Sequence, residues 1–446
     1  MSPMSDIAAG RRSPADYDTA YSDIHPALSD RQALVESSRC HFCHDAPCIE
    51  ACPTSIDIPG FIRRISTENP KGAGKTILNA NIMGATCARV CPVEELCEQA
   101  CVRFTGEHKP VAIALLQRFA TDAVFEAGLQ PYGRSAQTGK RVAVVGAGPA
   151  GLACAHRLAR EGHDVVVYEA QAKPGGLNEY GLAAYKMTNG IAQAEVEFIL
   201  SVGGISIEYG KVLGSDHTLD DLRRDFDAVF LGMGLGGVNA LNLDGEENDA
   251  VIDAVSYISD IRQASDLANL EIGRRLVVIG GGNTAIDIAV QAKRLGADEV
   301  TLVYRRGPEQ MGATDYEQEL AQTNGVLIRH WAKPVGLSGE NGSAVDVRFE
   351  NTTLAGDGRL QGTGLEFTIT ADQVFKAIGQ VFDEAPLASG ESLKIVGGRI
   401  EVDAEGRTSL ADVYAGGDCV PGDDLTVSAV ENGKVAALAI HSALSA

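Results

Sequence analysis

Eight cysteines between residues 40 and 101 carry the strongest chemical signal in the sequence, because they form two groups with short spacing. The groups are Cys40-x2-Cys43-x4-Cys48-x3-Cys52 and Cys87-x3-Cys91-x5-Cys97-x3-Cys101. Thiolates spaced in this way can converge on inorganic clusters. Structural zinc is the alternative, but zinc sites favour paired C-x2-C ligands, and this region contains one such pair. The spacing therefore predicts iron–sulfur clusters rather than zinc.

Each group contains a cysteine followed by proline, at Cys52 and Cys91. This dipeptide is typical of bacterial ferredoxin runs, in which the fourth cysteine binds the other cluster of a pair. The same crossover predicts that Cys40, Cys43 and Cys48 share a cluster with a distant thiolate.

A glycine-rich turn follows a predicted buried strand at Arg141–Val145. The turn is Gly146-Ala147-Gly148-Pro149-Ala150-Gly151, and the strand after the next helix ends at Glu169. Such glycines let the backbone approach a pyrophosphate at a helix N-terminus, and the acid suits a ribose hydroxyl. We expect Gly146, Gly148, Pro149, Ala150, Gly151 and Glu169 to bind a dinucleotide.

A second strand, turn and helix pattern begins at Leu276. Its turn is Gly280-Gly281-Gly282-Asn283-Thr284-Ala285, and the next strand ends at Arg305 and Arg306 instead of an acid. We expect Gly280, Gly282, Asn283, Thr284 and Ala285 to bind a nicotinamide dinucleotide. Guanidinium groups can grip a 2′-phosphate, so the two arginines favour NADPH over NADH. The alternative is that both arginines are exposed residues without a ligand.

Two further glycine turns accompany the first nucleotide motif. Gly175-Gly176-Leu177 follows Glu169 closely, and Gly416-Gly417-Asp418 follows a predicted strand near the C-terminus. This pairing of distant motifs resembles flavoproteins with two dinucleotide-binding domains, whose ligand is FAD. The resemblance implies that Gly176, Leu177, Gly417 and Asp418 contact FAD.

Composition excludes several classes of protein. The chain has 38 basic and 60 acidic residues and a net charge of -22, which argues against a nucleic-acid or polybasic membrane surface. No apolar run reaches the roughly 18 residues of a membrane span, and residues 1–26 contain no apolar segment typical of a secretory signal, so we expect neither. We therefore expect a cytoplasmic protein, with residues 1–26 disordered or loosely docked. The isolated Cys154 and Cys419 are expected to be packing residues.

The 446 residues predict a multidomain protein. We expect an α-helical iron–sulfur domain at residues 1–135, followed by two α/β Rossmann-like domains, the second inserted in the first. The predicted FAD-binding domain spans residues 136–255 and 373–446. The predicted NAD(P)-binding domain spans residues 256–372.

From about residue 30 to its end, the chain resembles the flavin and iron–sulfur subunits of dihydropyrimidine dehydrogenase and of glutamate synthase. The specific stretches are Cys40-His41-Phe42-Cys43-His44-Asp45-Ala46-Pro47-Cys48, Ala51-Cys52-Pro53-Thr54 and Leu116-Gln117-Arg118-Phe119-Ala120. The last stretch favours the dihydropyrimidine branch. The resemblance implies FAD, two [4Fe-4S] clusters, and NADH or NADPH.

The resemblance also implies ligands. One cluster takes Cys40, Cys43, Cys48 and Cys101, and the other takes Cys52, Cys91, Cys97 and Gln117, which leaves Cys87 without iron. From the sequence alone, Gln117 is predicted to be a helix surface residue. Asn178 to Met187 resembles a flavin-contact segment. Thr426 to Lys434 resembles a flavin-covering helix, so Thr426 is expected to contact FAD.

The function implied is that of an electron-transfer subunit. Nicotinamides give a hydride and clusters take single electrons, so the flavin must act between them, and no catalytic proton-transfer residue is expected. The chain lacks an FMN barrel of about 250 residues, which implies a partner FMN/iron–sulfur subunit, in a heterotetramer, that interconverts uracil or thymine with the 5,6-dihydro base. The alternatives are a glutamate synthase small subunit, a free-standing NAD(P)H:acceptor reductase, and a cluster-bearing sensor.

Overall fold

A computed structural model describes residues 12–341, 343–388 and 392–446, and these divide into two compact units. The larger unit contains described residues of the ranges 25–179, 189–236 and 382–446. The smaller unit contains residues 12–24, 180–188 and described residues of 237–381. Both cysteine groups and the first glycine-rich turn lie in the larger unit, and the second turn lies in the smaller unit.

The described residues form helices α1 (Pro14–Ala20), α2 (Asp30–Ser37), α3 (Pro47–Glu50), α4 (Ile58–Ser66), α5 (Pro70–Ala80), α6 (Gly84–Val90), α7 (Val102–Glu107), α8 (Ile113–Glu126), α9 (Pro149–Arg160), α10 (Leu177–Tyr180), α11 (Ile191–Leu200), α12 (Leu219–Asp225), α13 (Ala254–Gln263), α14 (Asn283–Leu295), α15 (Asp315–Thr323) and α16 (Thr426–Ser445). Short 3-10 helices lie at Leu267–Asn269, Pro308–Gln310 and Ala385–Leu387. Among these described helices, none is both long and apolar enough to cross a membrane.

The described strands are β1 (Arg141–Val145), β2 (Asp164–Glu169), β3 (Ile205–Tyr209), β4 (Ala228–Leu231), β5 (Gly237–Val238), β6 (Val251–Asp253), β7 (Arg275–Gly280), β8 (Glu299–Val303), β9 (Leu327–Arg329), β10 (Ala332–Ser338), β11 (Val345–Leu354), β12 (Leu360–Ala371), β13 (Gln373–Ala377), β14 (Gln380–Val381), β15 (Ile395–Val396), β16 (Arg399–Ile400) and β17 (Val413–Ala415). Eight helices of the described chain precede β1, so the cysteines lie in a helical part of the larger unit.

Apolar spacing explains how the helices enclose the cysteines. In α4, Ile58, Phe61, Ile62 and Ile65 recur at helical spacing, and all four are buried. Asp57 begins this helix because its side chain accepts the N–H of Gly60 at 2.9 Å. These side chains share one apolar cluster with several of the cysteines, so the helical core holds the cysteine loops in place.

The larger unit contains a five-stranded parallel sheet with the order β17-β4-β1-β2-β3. Residues 142–145 of β1 are buried, as expected for a parallel strand covered on both faces. α9 and α16 pack closely because Gly433 has no side chain: a Cβ there would lie 2.1 Å from the carbonyl oxygen of Ala150. Cys154 is fully buried in this core, which confirms its packing role.

The smaller unit contains a second five-stranded parallel sheet, with the order β6-β13-β7-β8-β9. In both sheets the strand before the glycine turn is flanked by the next strand on one side and by a much later strand on the other. This reversal of strand order opens a crevice at the carboxyl ends of the strands, where nucleotides bind in such folds.

A three-stranded antiparallel sheet, β10-β11-β12, was not predicted from the sequence. In β11 the buried Val345, Val347 and Phe349 alternate with the exposed Asp346 and Arg348. This alternation with a period of two is visible in the sequence and is typical of a half-buried strand.

The unit boundaries differ from the predicted domain boundaries. The break expected at 255/256 leaves out β6, and the break expected at 372/373 leaves out β13, yet both strands belong to the smaller unit's parallel sheet. Because β13 pairs with both β6 and β7, the boundaries lie at 236/237 and 381/382. The cysteine helices and the flavin-type sheet fall into one unit instead of two.

The segment before residue 25 is ordered where the structure describes it. Ser13 caps α1, and Tyr17 is buried, with its hydroxyl donating to the carbonyl of Leu295 at 3.4 Å. The Tyr21 hydroxyl donates to the carbonyl of Gln291 at 2.9 Å. The expectation of a disordered or loosely docked terminus is therefore wrong for residues 12–24, and residues 1–11 lie outside the described part.

We predict that Gly433→Ala destabilises the larger unit by about 1–3 kcal/mol, because the new methyl group overpacks the crossing of α9 and α16. Thermal unfolding of the FAD-bound protein measures this loss. Gly106→Ala is the matched control, since a Cβ there meets nothing within 4 Å, and it should gain up to about 1 kcal/mol from helix propensity. Equal melting temperatures for the two variants would contradict the prediction.

Candidate cofactor and cluster sites

Four thiols surround one small cavity in the helical part of the larger unit. They are Cys40, Cys43, Cys48 and Cys101. The cavity wall is otherwise mostly apolar, with residues from the start of α4 and from the segment before α8. These are the four cysteines that were predicted to share a cluster, and their ligation of iron stays a prediction.

Burial shifts the pKa of two of these four thiols. It raises the pKa of Cys40, and it raises the pKa of Cys48 to about 12, with a further increase from neighbouring thiols. A bound cation reverses this balance and stabilises thiolates. Four thiols around an apolar cavity are a donor set that fits a [4Fe-4S] cluster. Within the described ranges, no three Cys, His, Asp or Glu side chains are placed to hold a single metal ion.

The second thiol group lies beside the first. Cys52 and Cys97 lie close enough to Cys91 to raise its pKa, and Cys48 of the first group lies close enough to Cys97 to raise the pKa of Cys97. A hydrogen bond with Cys87 and burial raise the pKa of Cys91, and burial raises the pKa of Cys97. Three cysteines of the predicted second ligand set are thus neighbours, with Cys87 next to one of them.

Gln117 is buried in α8, with 7% of its surface exposed. Its Nε2 donates to the carbonyl of Gly84 at 2.8 Å, at the start of the helix that leads to Cys91. Within the described chain its Oε1 accepts no hydrogen bond, which leaves an acceptor for a metal. The sequence-based expectation of a surface residue is therefore wrong, and the ligand role stays a prediction.

The first glycine turn has the shape of a pyrophosphate cradle. Gly146 has a φ of +93°, and a Cβ on Gly151 would lie 1.9 Å from the carbonyl oxygen of Gly146, so both glycines are required by the fold. A Cβ on Gly148, in contrast, would find its nearest neighbour 3.8 Å away. Gly148 therefore leaves room for phosphate at the N-terminus of α9, which begins with Pro149 and Ala150.

Glu169 closes the turn from the end of β2. Its Oε2 accepts the N–H of Ala147 and its Oε1 accepts the N–H of Gln171, both at 2.7 Å. Burial raises the pKa of this carboxyl group, although the two hydrogen bonds oppose the increase. The carboxylate is therefore fixed beside the turn, as the predicted ribose contact requires.

Two further segments meet the start of α9. A Cβ on Gly176 would lie 2.8 Å from the Cα of Gly148, and Leu177 follows it as a partly exposed residue. A Cβ on Gly417 would lie 2.9 Å from that of Ala150. The structure thus brings together glycine turns that are about 240 residues apart in the sequence, which fits a long dinucleotide such as FAD.

Asp418 and Thr426 complete this region. Burial, with a contribution from Asp424, raises the pKa of Asp418 to about 6. The Thr426 hydroxyl, at the start of α16, donates to Oδ1 of Asn178 at 2.9 Å. Both residues stay predictions as FAD contacts. Cys419 is fully buried and its thiol donates hydrogen bonds to backbone carbonyls, which confirms that it is a packing residue.

The second glycine turn also fits a dinucleotide. A Cβ on Gly280 would lie 2.1 Å from the carbonyl oxygen of Ala377, whereas Gly282 has nothing within 4 Å. Ala285 is fully buried under the turn, and Thr284 is half-buried. Oδ1 of Asn283 is buried and accepts no hydrogen bond from the described residues, so it is available to a donor group of a bound dinucleotide.

Arg305 and Arg306 follow β8 in the smaller unit. Arg305 is exposed and Arg306 is half-buried, and neither guanidinium pairs with a carboxylate of the described chain. Their backbone is fixed, because the carbonyl of Arg305 accepts the Thr352 hydroxyl at 2.7 Å and that of Arg306 accepts the Trp331 N–H at 3.1 Å. Both side chains are available to an anion, and the preference for NADPH stays a prediction.

Lys186 lies in a buried ion cluster that was not predicted from the sequence. Its Nζ lies 2.7 Å from Oδ1 of Asp287 and 2.5 Å from Oε1 of Glu317. Burial lowers the pKa of this lysine, but the two carboxylates outweigh burial and raise it. The segment 180–188 therefore belongs to the smaller unit, so the expected flavin-contact segment is divided after residue 179.

Glu195 is a second missed residue. It is fully buried in α11, and its carboxylate accepts the N–H of Ala85 at 2.9 Å and the hydroxyl of Thr86 at 2.5 Å. Burial raises its pKa to about 7, although these bonds oppose the increase. An acidic residue within an apolar helix was the available signal. Glu195 attaches the flavin-type fold to the N-terminus of α6.

Two family models match the chain. Residues 17–129 match dihydropyrimidine dehydrogenase domain II, 4Fe-4S cluster, and residues 140–433 match pyridine nucleotide-disulphide oxidoreductase. The subunit PreT of NAD-dependent dihydropyrimidine dehydrogenase from Escherichia coli K12 is 36% identical over 419 residues, which cover 94% of this chain and 96% of that protein. The chain belongs to the family of this flavin and iron–sulfur subunit. The predicted family resemblance is confirmed, and the protein is an NAD(P)H-dependent flavin oxidoreductase with a 4Fe-4S domain.

The chain is also similar to a glutamate synthase subunit and, in its fold, to two solved structures. The glutamate synthase [NADPH] small chain of Escherichia coli K12 is 32% identical over 444 residues, 93% of this chain and 92% of that protein. Among solved structures, Mycobacterium tuberculosis FprA in complex with NADPH has a TM-score of 0.58 at 20% identity, over 69% of this chain and 84% of its own. The thioredoxin reductase of T. acidophilum has a TM-score of 0.54 at 22% identity, over 69% of this chain and 100% of its own. These two likenesses show the fold.

We predict that Cys101→Ser removes about half of the iron while FAD stays bound, because Cys101 completes the first thiol ring. Iron and flavin content of the anaerobically purified protein measure this. Cys97→Ser should remove the other half, and Cys154→Ser is the control that should keep all the iron, since it lies in the apolar core. Full iron content in Cys101→Ser would show that the ligand set is wrong.

We predict that the double substitution Arg305→Glu and Arg306→Gln raises KM for NADPH roughly tenfold or more, because charge-assisted hydrogen bonds contribute about 1.5–3 kcal/mol each. KM for NADH should change little. Arg359→Gln is the control, since this arginine is exposed in the same unit and pairs with Asp357. Equal increases for both nucleotides would eliminate the phosphate-grip interpretation.

Proposed function

We propose that this protein is the electron-input subunit of a dihydropyrimidine dehydrogenase. The observation that carries the proposal is the contact between the flavin-type fold and the cysteine helices within one compact unit. Nδ2 of Asn178 donates to Sδ of Met83 at 3.5 Å, and Nζ of Lys434 donates to the carbonyl of Ala80 at 3.0 Å. The 36% identity with PreT over nearly the whole chain supports the same conclusion.

The residues around the first glycine turn bind FAD in this proposal. When bound, FAD exchanges a hydride with a nicotinamide and single electrons with iron–sulfur clusters. Gly148 and the N-terminus of α9 receive the pyrophosphate, and Glu169 orients a ribose. Asp418 and Thr426 hold the flavin end. The chain's task is to orient the two rings and exclude water, so no side chain is assigned a proton-transfer role.

A cluster held by the second thiol group would lie closer to the flavin-type fold, and it would accept single electrons from FAD. Met83 contacts Asn178 on the flavin side, and it directly precedes α6, which leads to Cys91. The first thiol group lies next to the second, because Cys48 is close enough to Cys97 to raise the pKa of Cys97. The loop around the first group includes His44, whose side chain is fully exposed. A cluster held by the first thiol group would pass electrons to the acceptor beside this exposed loop.

The acceptor is a partner subunit with FMN and further iron–sulfur clusters. This partner interconverts uracil or thymine and the 5,6-dihydro base, and the two subunits form a heterotetramer. The described chain contains no closed eight-stranded parallel barrel in which FMN could bind. No nucleic acid or membrane takes part in this function. The proposal includes two [4Fe-4S] clusters, one in each thiol group.

A second candidate function is that of a glutamate synthase small chain. The 32% identity with that protein over 93% of the chain favours it. The stretch Leu116-Gln117-Arg118-Phe119-Ala120 resembles the dihydropyrimidine branch, which is why that branch is preferred. A free-standing NAD(P)H:acceptor reductase is the third candidate, and it needs no partner.

Anaerobic capture of the tagged chain from its own cells, followed by mass identification and assay of the complex, tests the proposal. We expect a partner of roughly 45 kDa with FMN, which is a barrel-bearing subunit in size, and NAD(P)H-dependent reduction of uracil. A several-fold larger partner with glutaminase activity would move the protein to glutamate synthesis. A chain that is captured alone, and reduces dyes but not uracil, would support the free-standing reductase.

A further inference from the structure

Arg103 brings a permanent charge to the cavity of the first thiol group. Besides the four cysteines, the cavity is lined by apolar side chains, by His41 and by Arg103. A guanidinium stays protonated in proteins, so of the described residues around this cavity only Arg103 carries a charge that does not depend on pH. None of the proposed cluster ligands or dinucleotide contacts accounts for a cation at this position.

A hydrogen bond fixes the guanidinium of Arg103 at the cavity. Its Nε donates to the carbonyl oxygen of Arg39, the residue directly before Cys40. Arg103 itself lies in the first turn of α7, two residues after Cys101. The side chain therefore links the two segments that carry Cys40 and Cys101, and its charge is held beside both.

Glu107 pairs with Arg103 from the last turn of α7. Nη1 of Arg103 lies 2.5 Å from Oε1 of Glu107. The side chain of Arg103 is 19% exposed and that of Glu107 is 51% exposed, so water screens the carboxylate more than the guanidinium. Glu107 is not among the described residues that line the cavity. The pair therefore gives the cavity a net positive potential, which Glu107 reduces but does not cancel.

The effect of this charge is visible at one of the thiols. Burial raises the pKa of Cys40, and the charge of Arg103 opposes this increase. A positive charge that stabilises negative charge on a ligand sulfur also stabilises negative charge on a cluster bound to that sulfur.

We propose that the charge of Arg103 raises the reduction potential of a cluster held by the first thiol group. Reduction adds one negative charge to an iron–sulfur cluster, and net charge is one of the properties that set its potential. A higher potential at the first group favours the transfer of electrons from the second group toward the exposed loop around His44. This inference rests on the proposed function, because it uses the ligand set and the electron path assigned there.

The test compares the wild type with Arg103→Gln and Arg103→Lys, each purified anaerobically as the full chain. Iron and FAD contents are measured first, and cluster potentials follow from a dithionite titration monitored by electron paramagnetic resonance. The signal that is missing from Cys101→Ser identifies the first cluster. We expect Arg103→Gln to keep its iron and to lower the reduced-to-oxidised ratio of this cluster roughly five- to tenfold at a fixed solution potential, where tenfold corresponds to about 59 mV. Arg103→Lys keeps the charge and should stay within about twofold of the wild type.

Glu107→Gln tests the sign of the effect. It removes the carboxylate that opposes Arg103, so it should raise the same ratio, by roughly two- to threefold because Glu107 is more exposed. Arg64→Gln is the matched control and should leave the ratio unchanged, since Arg64 is an exposed arginine of α4 that does not line the cavity.

Opposite shifts in Arg103→Gln and Glu107→Gln are the signature of charge, because a structural disturbance has no reason to change sign within the pair. Unchanged potentials in Arg103→Gln, or shifts of the same sign in both variants, would overturn the inference while the electron-input function would stand. If Arg103→Gln does not fold or loses its iron, Glu107→Gln decides, and an unchanged or lower ratio there would overturn the inference. A wild-type complex that contains FAD and both clusters but does not reduce uracil would instead refute the proposed function.

Discussion

The buried carboxylate of Glu195 fixes the cysteine-bearing helix α6 against the flavin-type fold. It accepts hydrogen bonds from the N–H groups of Ala85 and Thr86, which have no carbonyl partner within the helix because they lie at its N-terminus. The partial positive charge of that terminus stabilises a negative charge that burial otherwise disfavours. The proposed electron path crosses this junction, so the spacing between the flavin and the second thiol group depends on it.

The thiol groups and the glycine turns of the larger unit differ in what surrounds the group that they are predicted to bind. The first thiol group surrounds a mostly apolar cavity, and burial there raises the pKa of Cys40 and of Cys48. The glycine turns instead expose backbone N–H groups and leave space at Gly148 for phosphate oxygens. Side chains enclose the thiol site, whereas the missing side chains of the glycines leave space for a nucleotide. Packing both into one unit lets a hydride donor and one-electron acceptors share a rigid framework.

Local patterns in the sequence predicted the elements that carry these sites. β1 has the predicted bounds Arg141–Val145, because an apolar run before a glycine turn is a local signal. Contacts between distant residues were not predictable in this way. Lys186 and Glu317 are 131 positions apart, and Glu195 and Ala85 are 110 apart. The strand β13 was assigned to the wrong side of a boundary because its pairing with β6 is also non-local.

We propose that FAD in this chain is the obligatory link between nicotinamide and the iron–sulfur clusters. The most direct measurement is an anaerobic NAD(P)H titration of the purified chain, followed by visible and electron paramagnetic resonance spectroscopy, with and without removal of FAD. The account predicts that NAD(P)H bleaches the flavin and reduces clusters in the intact protein. In FAD-free protein, dithionite should reduce the clusters and NAD(P)H should not. Cluster reduction by NAD(P)H without FAD, or no cluster signal in either preparation, would contradict the account.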